Sequence, residues 1–148
     1  MSKNIAIYYG TMTGNSEALA QSTYDKVTAN GWTATLHNLA DAKVEDLLAN
    51  APNAIFIVST WGDGEPPSDA EDFFADLSSA SIDLSTLKHA VFGLGDSNYE
   101  QFNAFAKNLD AALVKFGSTP VEPVFSSDVS YEGDYETWEP KVLAILGA

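Results

Sequence analysis

The chain has 148 residues, 45% of them hydrophobic and 11% aromatic, which suits one full-sized core and leaves little room for a second domain. Lys and Arg total 7 against 21 Asp and Glu, a formal net charge of −14 that repels phosphate backbones and anionic lipid surfaces. Cysteine is absent, which removes disulfides, iron–sulfur clusters, thiolate catalysis and Cys-based zinc sites together.

Two histidines, His37 and His89, are too few and too far apart in sequence to suggest a metal centre. The N-terminal residues run straight into a strand-like segment without a charged-then-apolar signal region. No apolar run approaches the ~20 residues of a membrane span. The expectation is one cytoplasmic domain over residues 1–148, a monomer that binds neither nucleic acid nor membrane. Its macromolecular partner should carry a basic face.

Short apolar runs alternate with amphipathic stretches along the chain. Ile5–Tyr9 reads as a buried strand, and residues 15–30 as a helix ended by Gly31. Residues 33–37 give a second strand, and Val44, Leu47 and Leu48 mark a short helix. Residues 54–58 form a continuous apolar run of the kind buried on both faces of a parallel sheet. After Pro66 and Pro67, Ser68-Asp-Ala-Glu71 is a capping box, with Ala70, Phe73, Phe74 and Leu77 on one helical face.

Residues 89–93 are the fourth strand. Phe102, Phe105, Leu109, Ala112, Leu113 and Phe116 make the inner stripe of the helix that follows. Residues 119–125 supply a fifth strand, and Tyr135, Trp138, Val142, Ile145 and Leu146 keep helical spacing to the end. Five strands alternating with five helices predict an α/β fold, a parallel sheet covered on both faces. In such sheets ligands sit beyond the carboxyl ends of the strands, where the winding direction reverses.

Three loops leave those ends. The first, Gly10-Thr-Met-Thr-Gly-Asn-Ser16, combines two glycines with four polar side chains ahead of a helix. Helix N–H groups and hydroxyls there can hold a phosphomonoester without a counter-cation. An ordinary capped turn would read the same way. The loop lacks the Gly-Lys-Ser/Thr ending of a P-loop and the three glycines of a dinucleotide fingerprint. Paired acids after strand one, which a phosphorelay receiver needs, are replaced by Tyr9-Gly10.

The second loop runs Ser59-Thr-Trp-Gly-Asp-Gly-Glu-Pro-Pro67, and the third Gly93-Leu-Gly-Asp-Ser-Asn-Tyr-Glu-Gln-Phe102. Each sets one large aromatic, Trp61 or Tyr99, among glycines and acids. Singly, each could be a core or rim residue. Together, on adjacent strands, they suggest two walls around a flat heteroaromatic ring.

With Thr11–Ser16, Ser59–Asp63 and Gly95–Tyr99 in this order and spacing, the chain resembles a flavodoxin of the short-chain type. The resemblance implies five parallel strands in the order 2-1-3-4-5 and a non-covalent FMN at the switch point. It implies that Thr11, Met12, Thr13, Gly14, Asn15 and Ser16, with Ser59, hold the phosphate. Trp61 and Tyr99 would flank the isoalloxazine. Thr60, Gly62, Asp96, Phe102 and Asn103 would lie along the ribityl chain or the ring's polar edge. Asp63, Gly93, Leu94 and Gly95 complete the implied cofactor set.

The stretches Gly62–Pro67 and Gly95–Tyr99 look more like the flavodoxin-like domain of diflavin reductases than like the best-known short flavodoxins. The implied function is a low-potential one-electron carrier between a flavodoxin reductase and acceptor proteins, with no catalytic residue and no metal. A quinone reductase of related fold is the rival from another class. It would need a second-ring pocket above the flavin, and nothing in the sequence supplies a basic nicotinamide-phosphate site. An accessory flavodoxin-like protein serving one enzyme reads identically.

Overall fold

Each strand expected from the sequence takes its place in one parallel sheet. The computed structural model describes residues 4–10, 15–38, 53–59, 73, 75–77, 83–85, 87–94, 104–121, 125–127 and 131–146. Strands β1 (Asn4–Gly10), β2 (Thr33–Asn38), β3 (Asn53–Ser59), β4 (Lys88–Leu94) and β5 (Thr119–Pro120) lie in the order β2-β1-β3-β4-β5. A short β6 (Phe125–Ser127) pairs with the far end of β4. Among the described residues three helices cover this sheet: α1 (Asn15–Ala29), α2 (Ala104–Lys115) and α3 (Tyr131–Leu146). Phe73 and Ala75–Leu77 are also helical.

Parallel strands with helices on both sides must be apolar on both sides, and side chains alternate between the faces. Ile5, Ile7, Ile55, Ile57, Ala90 and Phe92 point to one face, where they pack with Ala20 and Val27 of α1 and Tyr135, Trp138 and Val142 of α3. Ala6, Tyr8, Ala54, Phe56, Val58 and Val91 point to the other, against Phe73, Leu77, Leu84, Leu87, Leu109 and Leu113. Phe73 and Leu77, two of the four residues expected on one helical face, are buried.

Helices α1 and α2 end the same way. Trp32 N–H reaches the Val27 carbonyl at 3.0 Å and Gly31 N–H the Thr28 carbonyl at 3.2 Å. Ser118 N–H reaches Leu113 at 3.1 Å and Gly117 N–H reaches Val114 at 2.9 Å. These are Schellman motifs, whose left-handed residue is glycine: Gly31 has φ 88° and Gly117 φ 103°. A Cβ on Gly117 would also press on the Ser85 nitrogen at 3.3 Å, while Gly31 faces open space.

Two expectations are corrected. The fifth strand is not one run from 119 to 125 but two ladders on β4, Lys88↔Thr119 and His89↔Pro120, then Phe92↔Phe125 to Leu94↔Ser127. Thr119 N–H and Val121 N–H bond the Leu87 and His89 carbonyls on either side of Pro120, and the chain bends at Val121, where this first ladder ends. Ile145 keeps helical spacing but is 40% exposed, outside the core. The short helix at Val44–Leu48, and Ala70, Phe74 and Phe102, lie outside the described residues.

Candidate functional site

Registry lines the strand ends up in one row. Gly10 of β1 pairs with Val58 of β3, Val58 with Gly93 of β4, and Gly93 with Ser126 of β6. Ser59 and Leu94 close their strands side by side, with Ser127 next to Leu94. Neighbouring strands are ~4.8 Å apart, so the four ends span roughly 14 Å. The row contains the point where the winding reverses, because β2 lies on one side of β1 and β3 on the other. That reversal opens the crevice in which doubly wound sheets bind ligands.

Helix α1 starts at this edge, five residues after the last residue of β1. A 15-residue helix leaves its first four N–H groups without intrahelical partners and adds the positive end of its dipole. Asn15 and Ser16 occupy its first turn. The donors that the described residues set at this edge are therefore backbone N–H groups. Such donors fit a phosphate group.

Of the residues expected to hold the cofactor, five fall in described elements. Asn15 and Ser16 open α1, Ser59 ends β3, and Gly93 and Leu94 end β4. Topology brings all five to the same edge. Thr11, Met12, Thr13, Gly14, Thr60, Trp61, Gly62, Asp63, Gly95, Asp96, Tyr99, Phe102 and Asn103 lie outside the described residues. Among the described residues no cluster of His, Asp and Glu could hold a metal ion, and no helix is long and apolar enough to cross a membrane.

Two buried polar networks escape the sequence patterns, because their members are far apart in the chain. Glu139 of α3, only 6% exposed, accepts from the Thr23 hydroxyl and from Lys26 Nζ at 2.8 Å, both on α1. Thr23 has one hydroxyl proton, which goes to Glu139, so the Tyr135 phenol donates to the Thr23 oxygen. Burial holds the Tyr135 phenol well above its usual range. At the other end of the sheet, His89 is fully buried and bonds Asp110 at 2.7 Å and Ser118 at 2.5 Å. Neither network touches the carboxyl edge.

Comparison with known proteins sharpens this picture. A family profile described as flavodoxin matches residues 7–138. The sulfite reductase [NADPH] flavoprotein alpha-component of Photobacterium profundum is 37% identical over 141 residues, covering 95% of this chain and 23% of that protein. This chain spans about a quarter of the length of the curated relatives it matches. Among solved structures, oxidised Flavodoxin 2 from Bacillus cereus superposes with a TM-score of 0.82 at 34% identity, covering 95% of this chain and 96% of that one. A short-chain flavodoxin associated with a PDU bacterial microcompartment gives 0.79 at 30%, covering 96% and 95%. The doubly wound sheet, the helix N-terminus at its switch point and these similarities agree: the chain belongs to the flavodoxin family, whose members bind FMN and carry electrons.

Proposed function

We propose that this chain is a single-domain, low-potential one-electron carrier that uses FMN to move electrons between a reductase and acceptor proteins, with no substrate turnover of its own. The observation that carries the reading is the row of strand ends at the switch point with the first turn of α1 beside it. The bound flavin supplies the redox chemistry, and the protein supplies position and electrostatics. Asn15 and Ser16, with Thr11–Gly14 and Ser59, would hold the phosphate by N–H and hydroxyl donation. Trp61 and Tyr99 would exclude water from the two faces of the ring. Thr60, Gly62, Asp63, Gly93–Asp96, Phe102 and Asn103 would line the ribityl chain and the polar edge.

Charge supports the low potential and the choice of partner. Residues 60–72 and 95–103 contain Asp63, Glu65, Asp69, Glu71, Asp72, Asp96 and Glu100, and no Lys or Arg. At ~10 Å and an effective dielectric of ~40, each carboxylate opposes added negative charge by about 0.8 kcal/mol. Several together lower the second reduction. The same field steers a basic-faced protein toward this edge. The relatives include parts of NADPH-dependent reductases, so a reductase of this two-flavin kind is the natural electron source.

Titration of apoprotein with FMN and with riboflavin tests the phosphate site. FMN should bind at one per chain and more tightly than riboflavin, and equal affinities would remove the proposed role of Thr11–Ser16. A potentiometric titration of the loaded protein should resolve two one-electron steps. Turnover of NAD(P)H with quinone in the absence of any reductase would favour the quinone-reductase reading instead.

A further inference from the structure

His89 lies near the amino end of β4, on the face covered by α2 and remote from the strand ends that form the cofactor edge. Its ring is 0% exposed, and both nitrogens are engaged: Nε2 with Asp110 Oδ1 of α2 at 2.7 Å, Nδ1 with Ser118 Oγ at 2.5 Å. Ser118 is placed there by the Schellman turn at Gly117 and is itself 4% exposed. Its hydroxyl has a second neighbour, the Leu87 carbonyl at 3.1 Å. The order Asp–His–Ser matches a hydrolytic triad, but no substrate carbonyl can reach a serine so buried.

Counting donors and acceptors shows what the network can do instead. The Leu87 carbonyl already accepts the Thr119 N–H at 3.0 Å. With a neutral ring, Nε2–H donates to Asp110, Nδ1 accepts the Ser118 hydroxyl proton, and nothing buried is left unpaired. With a cationic ring, Nε2–H still donates to Asp110 while Nδ1–H donates to Ser118 Oγ. The serine proton then swings to the Leu87 carbonyl. Again nothing is unpaired.

Rotation of one hydroxyl thus satisfies both protonation states, and in the second the Asp110 carboxylate balances the buried charge. The strand neighbours of His89, Ala54 on β3 and Pro120 on β5, bring no charge. Asp83, in the segment before β4, is exposed and accepts the Ser85 N–H at 2.9 Å. The Asp110 side chain is 22% exposed, which gives a proton a way in.

We propose that His89, Asp110 and Ser118 form a proton-tolerant latch, which takes up and releases one proton inside the fold while keeping α2 fastened to the β4–β5 edge. Ser118 is the positioning residue that makes this possible.

The test uses the full chain loaded with FMN and labelled with nitrogen-15, with His37→Asn to assign the two histidines. Spectra at pH 8.5 and pH 5.5 read which ring nitrogens of His89 carry a proton, and the fold should stay intact at both. Ser118→Ala removes the acceptor that the described residues offer to Nδ1–H but leaves the neutral ring merely short of one donor. Its loss in Tm should therefore exceed by about 3 °C or more at pH 5.5 the loss at pH 8.5, and Ser118→Thr should restore the wild-type profile. If Ser118→Ala does not fold, Asp110→Asn keeps an acceptor oxygen but removes the counter-charge, and should show the same acid-side excess. A ring fixed in one state across this range, or equal losses at both pH values, would overturn the latch.

Discussion

On the α1/α3 face of the sheet, aromatic rings tie helix to sheet and a buried charge ties helix to helix. Phe92 of β4 meets Tyr135 edge-on at 5.0 Å and Trp138 at 5.2 Å, while Glu139 reaches across to Thr23 and Lys26 of α1. On the α2 face the roles are exchanged. There the rings stack along the sheet itself, His37 on Tyr8 and Tyr8 on Phe56, both at 4.9 Å. The polar contact runs instead from helix to sheet, Asp110 to His89. Apolar packing is non-directional and decides where a helix lies. Hydrogen-bonded networks are directional and decide how far along the neighbouring element it sits.

The largest effect should come from breaking the aromatic tie. Phe92→Ala removes a fully buried ring that both Tyr135 and Trp138 touch, at a cost of about 3–5 kcal/mol. Val91→Ala, one residue earlier and facing α2, removes only two methyl groups and should cost about 2 kcal/mol. Urea midpoints for the two variants decide the point. Equal losses would mean that α3 is not held chiefly through its rings.

The division between legible and hidden features follows the same line. Strands and helix faces depend on local periodicity, so β1, β3, β4 and the stripe at Leu109 and Leu113 could be read directly. The sign of a break in the fifth strand is Pro123, which has no N–H for a ladder, yet the β-branched Thr119 and Val121 outweigh it in the pattern. The two polar networks join residues 21 to 116 positions apart, and no window of sequence contains them. For the candidate site, no one loop separates a phosphate cradle from a capped turn. Three loops in order do so by resemblance, and topology then brings Asn15, Ser59 and Leu94 to one edge.

The second prediction concerns the helix-to-helix charge, and it goes against intuition. The Lys26 side chain is 47% exposed and that of Glu139 9%, so the lysine is the partner nearer to water. Glu139→Gln keeps an acceptor for Thr23 and releases Lys26 to solvent, at a cost of about 1 kcal/mol. Lys26→Met strands a buried carboxylate without its counter-charge. That should cost about 2–3 kcal/mol, at or below the ~3 kcal/mol lower end for broken buried pairs because Thr23 still donates and Lys26 is half exposed. The more exposed residue is thus the more damaging to lose. Thermal unfolding of both variants at neutral pH measures this, and the reverse order would make the pair an ordinary surface contact.

The smallest effect at neutral pH, and the most diagnostic, belongs to Tyr135. Its phenol donates to Thr23, and Tyr135→Phe deletes that bond for about 1 kcal/mol. Burial raises its pKa far above the ordinary 10.0, with the neighbouring Glu139 carboxylate adding to the shift. The sign follows from which state ionises first. Below pH 10 the phenol is protonated in folded and unfolded chains alike, and its contribution is fully present. Above pH 10 the unfolded chain releases the proton while the folded chain keeps it. Stability then falls by about 1.4 kcal/mol per pH unit from this one group. Phenylalanine has no proton to lose, so the variant starts below the wild type and declines less steeply. The two stability curves should cross roughly one unit above pH 10, where the ionisation term has consumed the hydrogen bond. Denaturant titrations from pH 8 to 11.5 would reveal the crossing. Curves that stay parallel would show that the Tyr135 hydroxyl is open to water, and that the seam between α1 and α3 is looser than its buried network requires.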